Sequence, residues 1–203
     1  MYPRPVFTEH NQDRIVGLIA ANSFGLLVTT GANGMEASHV PFIVAVEDGT
    51  IVLTAHLGAG NPQCAALDGG AALAIFSGPH AYIAPGWYKT QPAVPTWDYA
   101  AVHIHGTLER VADDAGTSAI LRALAKDDPM RFDLDAMEPQ YRAQMFKGIK
   151  AFRLKAARIE AQWKMSQNRS ASDRRGVIVE LRQHGGADEK QVADLIEAGL
   201  PAG

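Results

Sequence analysis

FGLLVTTGANGMEASHVPFIVAVEDGTIVLTAH, residues 24–56, changes the period of the chain and decides its class. Just upstream, Ile15, Leu18 and Ile19 recur at helical spacing, and Gly25 can close that helix. Within the stretch, runs rich in Val, Ile and Thr are separated by Asn33-Gly34 and Asp48-Gly49. Both dipeptides accept the positive φ that a tight hairpin turn demands. The pattern predicts three strands joined by two turns. Pro41 falls inside the second of them, and because proline cannot donate to a ladder, it predicts an edge position or a bulge.

Working outward, GAGNPQCAALDGG reads as a loop and a short helix, with Asn61 as its cap and Pro62 at its first position. AALAIFSG and HAYIAPGW read as two short strands around Gly78-Pro79. YAAVHIHGTLERV and KAFRLKAARIEAQWKM are long strands. In the latter, Phe152 and Leu154 share one face, while Ile159, Ala161, Trp163 and Met165 alternate in the opposite phase, which predicts a bulge or bend near Ala157. Helices are expected over ADDAGTSAILRALAKDD, with Asp113 or Asp114 as cap, and over MEPQYRAQMFKGI, SASDRRGVIVELRQ and DEKQVADLIEAGL. Six or seven strands linked mainly by hairpins predict a mainly-β (α+β) protein whose antiparallel sheet closes on itself or packs on another layer. One domain over residues 1–203, ending in helices over 170–203, is the expected organisation.

The length of 203 residues suits one substantial core, and a net charge of −3 excludes a global attraction to nucleic acid or anionic membrane. A single cysteine, Cys64, excludes an internal disulfide, fits a reducing compartment and reads as a small filler. There is no signal-like or membrane-length apolar run, so a soluble, cytoplasmic protein is expected.

Several constellations could carry chemistry. In QWKMSQNRS, Trp163 anchors a strand, while Lys164 turns to the other face with Gln162 and Ser166, and Gln167 and Asn168 add further donors and acceptors. His103 and His105 lie two apart on one strand and so share a face. They could bind a metal, but no Glu-x-x-His or Cys-x-x-Cys spacing supports it, and a polar strand face without metal is the expected reading. TAHLGAGNPQ ends a strand at His56 and starts a helix at Asn61-Pro62; its backbone N–H groups could take an anion, or the segment could be a simple capped helix. Between residues 84 and 103, Trp87, Tyr88, Trp97 and Tyr99 could cover a flat ring ligand, pack on a second subunit, or fold onto their own barrel. No Ser-His-acid order, phosphate-loop lysine or dinucleotide glycine fingerprint is present.

MYPRPVF, FGLLVTTGANGMEASHVPF, AHLGAGNPQ, GPHAYIAPGWY, VPTWDYAAVHIHG and QWKMSQNRSASDRRGVI, in this order and spacing, resemble the PaiB family of FMN-binding negative transcriptional regulators. The resemblance spans most of the chain. Members often carry Ser-Pro-Ser-Trp-Tyr where this chain has residues 84–88, and Asn where it has Asp98. The resemblance implies a six-stranded antiparallel split β-barrel of the FMN-binding type, forming a homodimer with FMN in interfacial grooves. It places the flavin phosphate by the loop from His56 to Gln63 and the ring along residues 27–30 and 38–40. The expected cofactor-binding residues are thus Thr29, Thr30, Ser38, His39, Val40, His56, Asn61, Gln63, Lys164, Ser166, Gln167 and Asn168; no catalytic residue is assigned. Lys164 is expected to be exposed, so that its loss weakens FMN binding and spares folding. Regulation implies a DNA or protein partner. No helix-turn-helix pattern is visible, however, and the densest basic stretch, NRSASDRRG, reads as a solvated helix start. A flavin-dependent oxidoreductase acting on a small substrate and a metal or haem protein are the alternatives.

Overall fold

The computed structural model describes residues 1–2, 4–32, 34–126, 128–130 and 132–201. Among these residues there are seven strands: β1 Phe24–Gly31, β2 Gly34–Pro41, β3 Ile43–Glu47, β4 Thr50–Gly58, β5 Asp68–Ile83, β6 Thr96–Val111 and β7 Ile149–Lys164. Five α-helices accompany them among the described residues: α1 Gln12–Ala21, α2 Asp114–Leu124, α3 Pro139–Lys147, α4 Ala171–His184 and α5 Ala187–Ala198. The strand order is β2-β1-β5-β6-β7-β4-β3. The pairings β1–β2, β1–β5, β3–β4 and β4–β7 are antiparallel.

The expectation of six strands is corrected to seven, in a ladder whose ends do not pair among the described residues. Two local readings change with it. The run 34–47 is not one strand, because it breaks at Phe42 into β2 and β3. Pro41 is the last residue of β2, an edge strand, where its missing N–H is harmless. Conversely, residues 68–83 form one strand rather than two. The ladder with β1 covers Ala72 to Ile75, so Pro79 lies past its end and interrupts no bond to β1. Asp48 and Gly49, with φ of 48° and 77°, make the expected two-residue turn between β3 and β4. Asn33, half of the other predicted turn, lies outside the described residues; Gly34 beside it has φ of 105°.

The chain separates into two compact units. The larger comprises Val16–Phe76 and His103–Ile159. Here β2 and β3 are divided by one residue, yet they stand at opposite ends of the strand order. The sheet in this unit therefore curls until its two ends meet at Phe42. That side chain is 3% exposed, and its ring meets Phe76 at 5.4 Å and Phe152 at 6.2 Å, both edge-on. Edge-to-face contact suits the ring quadrupoles. Gly25 leaves the room, since a Cβ there would lie 2.6 Å from Phe76 Cε1.

The smaller unit comprises Met1–Ile15, Ser77–Val102 and Glu160–Gly203. Its core is built from Trp163, Val177, Leu181, Val192 and Ile196, all buried. Ser170 caps α4 by accepting from Asp173 N at 3.1 Å, and Asp173 in turn accepts from Thr90 N at 2.8 Å. At the predicted change of phase in β7, Ala157, Arg158 and Ile159 are all exposed, so alternation does break there, and Ile159 is outside the core.

Candidate functional site

The hairpin β1–β2 aligns Leu27 with Ser38 and Thr29 with Glu36, which puts these four on one face. The 3-10 turn Pro62–Ala66 docks against them. Asn61 caps the turn, with Oδ1 accepting from Gln63 N at 2.9 Å, while its Nδ2 donates to Ser38 Oγ at 2.9 Å. Gln63 is 1% exposed, and its Nε2 donates to Leu27 O (3.2 Å), Thr29 Oγ1 (3.0 Å) and Glu36 O (3.2 Å). Thr29, Ser38, Asn61 and Gln63, four of the expected cofactor residues, thus form one network that ties a loop to a hairpin. Val40 is buried nearby. Thr30 and His39 lie on the opposite, exposed face, where His39 stacks on Phe24 at 5.6 Å. His56 is half-buried on β4, and burial pushes its ring below the usual imidazole range, so it is neutral near pH 7.

This inner network does not fit a phosphate. The Gln63 amide donors are already engaged, and Asn61 Nδ2 is turned to Ser38 Oγ. Among the described residues, the buried side-chain atoms of this network left without partners are Gln63 Oε1 and Glu36 Oε2. Both oxygens are acceptors, and acceptors repel an anion. The exposed face with Phe24, Thr30 and His39 instead suits a flat ring. Gln63→Leu should therefore act on folding: it strands three acceptors and should cost about 2–3 kcal/mol. Urea unfolding checks this, and a cost below about 0.5 kcal/mol would show the network to be idle.

In the smaller unit the end of β7 divides by alternation. Lys164 donates to Thr96 Oγ1 at 2.7 Å and to Trp97 O, and pairs with Asp98 at 3.2 Å. Ser166, with φ of 54°, donates to Asp98 Oδ2 at 2.6 Å. Asp98 is wholly buried. Burial pushes its carboxyl above the usual range, against the opposing pull of Ser166 and Lys164. Gln167 accepts from Met165 N at 2.7 Å and donates to Trp163 O. Asn168 is exposed. The expectation of an exposed Lys164, dispensable for folding, is therefore corrected: its side chain is 20% exposed and neutralises a buried carboxylate. Asp98 was visible in the sequence only as a departure from a family pattern; a buried acid opposite a lysine 66 residues away leaves no local signal. His105, expected on a polar strand face, has its ring nitrogens 3.0 and 3.1 Å from Arg158.

Comparison with known proteins supplies the remaining observation. Residues 1–158 match a family model described as "Putative FMN-binding domain". The chain belongs to that family. FMN is the cofactor this membership assigns, and the expected resemblance is borne out. The chain is also 34% identical over 203 residues to the Bacillus subtilis "Protease synthase and sporulation protein PAI 2", covering 97% of each. Among solved structures it is similar to the FAD and heme binding protein from Mycobacterium smegmatis, with a TM-score of 0.58 at 16% identity over 77% of this chain and 73% of that one. It is likewise similar to the flavocytochrome Anf3 from Azotobacter vinelandii, with a TM-score of 0.56 at 13% identity over 77% and 69%. Likeness at this identity concerns the fold. Among the described residues, no helix of this FMN-binding family member is long and apolar enough to cross a membrane.

Proposed function

We propose that the chain is a split-barrel flavoprotein that binds FMN as a homodimer, with the isoalloxazine on the outer face of the β1–β2 hairpin rather than in the network around Gln63. The observation that carries this reading is the character of that face. Phe24 and Met35 are 67% and 83% exposed, with Thr30 and His39 beside them. Apolar side chains gathered on one sheet face mark a surface that meets a ligand or a partner. A second copy that covered it would bury at least about 1,000 Å². When bound, the flavin supplies its own redox chemistry, and the chain's residues contribute binding and a dry, apolar bed.

The regulatory role runs through a protein or metabolite partner rather than through the basic stretch. Arg169 stacks on Tyr88 at 4.4 Å and Arg174 is buried, which leaves Arg175 as the exposed arginine of that run. One cation neutralises too few phosphates for useful affinity.

The test is an absorbance titration with FMN, with light scattering in parallel. The expected result is one FMN per chain, a perturbed flavin spectrum and a dimer mass. Replacing both Phe24 and Met35 by serine should lower the mass to that of a monomer and weaken FMN binding together. A monomeric parent protein that binds FMN fully would overturn the dimer reading.

A further inference from the structure

A cavity of about 640 Å³ lies wholly within the smaller unit. Its size falls in the range of small-molecule sites. Phe7, Trp163, Met165 and Leu195 give it apolar walls, and Arg14 and Arg174 bring charge. The alternation of β7 feeds it: Trp163, Met165 and Gln167 line the cavity, while Lys164 and Ser166 turn to Asp98.

The charges are unequally matched. Arg14 pairs with Glu9 at 2.6 Å and lies over the Trp163 ring at 5.4 Å, so its charge is neutralised locally. Glu9 is further held by the backbone N–H groups of His10 and Asn11. Arg174 is different. It is 6% exposed, Nη1 donates to Gly199 O at 2.9 Å and Nη2 to Ile196 O at 2.7 Å, and Nε has no partner among the described residues. The two carbonyls end α5, so part of the guanidinium serves as a helix cap. A cap needs two of its five N–H groups. Among the described residues no carboxylate pairs with Arg174, and the carboxylate nearest in effect, Asp98, is held by Lys164 and Ser166.

A nearly buried guanidinium that pairs with no carboxylate among the described residues, on the wall of a cavity of ligand size, calls for an anion. One unmatched positive charge suits a carboxylate better than a dianionic phosphate, and the apolar walls call for an organic body attached to it. We propose that this cavity binds a small organic acid, its carboxylate meeting Arg174 and its apolar body lying along Trp163 and Met165. The site shares no residue with the proposed flavin face and does not depend on that reading.

Calorimetric titration of the full chain with cinnamate, with cinnamyl alcohol and with inorganic phosphate tests it, each with and without saturating FMN. Cinnamate should bind once per chain, and the alcohol at least about ten-fold more weakly, as loss of a charge-assisted hydrogen bond requires. Phosphate should not compete, and the flavin spectrum should be unchanged. Ala198→Trp, at an exposed position on the cavity rim, should abolish cinnamate binding with the melting temperature retained. Arg174→Gln should erase the preference for acid over alcohol. Equal affinity for acid and alcohol, undiminished binding in Ala198→Trp, displacement of FMN by cinnamate, or no binding at about 5 mM would each overturn the proposal. The arm without FMN decides the matter even if FMN does not bind.

Discussion

Phe42→Ala should cost about 3–5 kcal/mol, the range for emptying a buried phenylalanine site. The reason to expect the upper part of that range is position. Phe42 is 3% exposed and packs edge-on against Phe76 and Phe152, which belong to β5 and β7. Its N–H donates to Ser23 O at 2.8 Å, so the backbone is held while the ring fills the corner. Alanine keeps the backbone bond and removes the ring, leaving a void between strands that cannot easily collapse. Phe42→Leu retains most of the volume and loses the ring-edge geometry, and should cost about 1–1.5 kcal/mol. Urea unfolding of both variants measures the difference. An alanine variant within about 1 kcal/mol of the parent would mean that the curl of the sheet does not depend on this ring.

Lys164→Met should be of similar size, about 3–5 kcal/mol near neutral pH, because it leaves a buried carboxylate without its partner. The pH dependence separates this from simple loss of packing. Burial already raises the Asp98 carboxyl above its ordinary range, so the folded state holds that proton more tightly than the unfolded chain. The contribution of such a group is fully present below the unfolded carboxylate range and is lost as pH rises through the folded value. Removing Lys164 removes a force that lowers this pKa, so the loss becomes larger and extends to higher pH. The destabilisation should therefore be greatest at about pH 8 and should shrink toward about pH 4, where Asp98 protonates in both proteins. Asp98→Asn in the Lys164→Met background should restore most of the stability at pH 8, since a neutral amide can still accept from Ser166. A loss independent of pH, or no rescue by Asn, would remove the ion pair from the account.

The β-rich class, the hairpin turn at Asp48-Gly49, the cap at Asn61 and the helices were legible because each rests on a local rule: period, turn chemistry or cap. The strand count was not. Phe42 looks like any apolar residue in an alternating run, and only tertiary placement makes it the point where one strand ends and another begins. Gly78-Pro79 misled in the opposite direction, because a proline breaks a ladder only where a partner strand needs its N–H. The candidate site divided along the same line. Asn61 and Gln63 announced a loop start in sequence, but that Gln63 turns inward to hold a hairpin depends on burial. Alternation alone makes Lys164 an exposed residue, but it assumes a strand with one solvated face. Near Trp163 both faces are covered, and alternation then sorts residues between two interiors rather than between core and water.

The pairing of β4 with β7 joins residues 52–58 to 149–155. During synthesis, β7 does not exist until roughly a hundred residues after β4 has emerged, a delay of about 5–20 s at ordinary elongation rates. Throughout it, Ile51, Val52 and Leu53, which end almost wholly buried, belong to a strand with one edge unpaired. Such a β-branched, uncharged run is a template for wrong partners. Glu47 and Asp48 stand immediately before it as charged gatekeepers, and Glu47 later pairs with Arg153 of β7 itself. The residue that wards off strangers while the chain is unfinished thus becomes a contact of the rightful neighbour once that neighbour arrives.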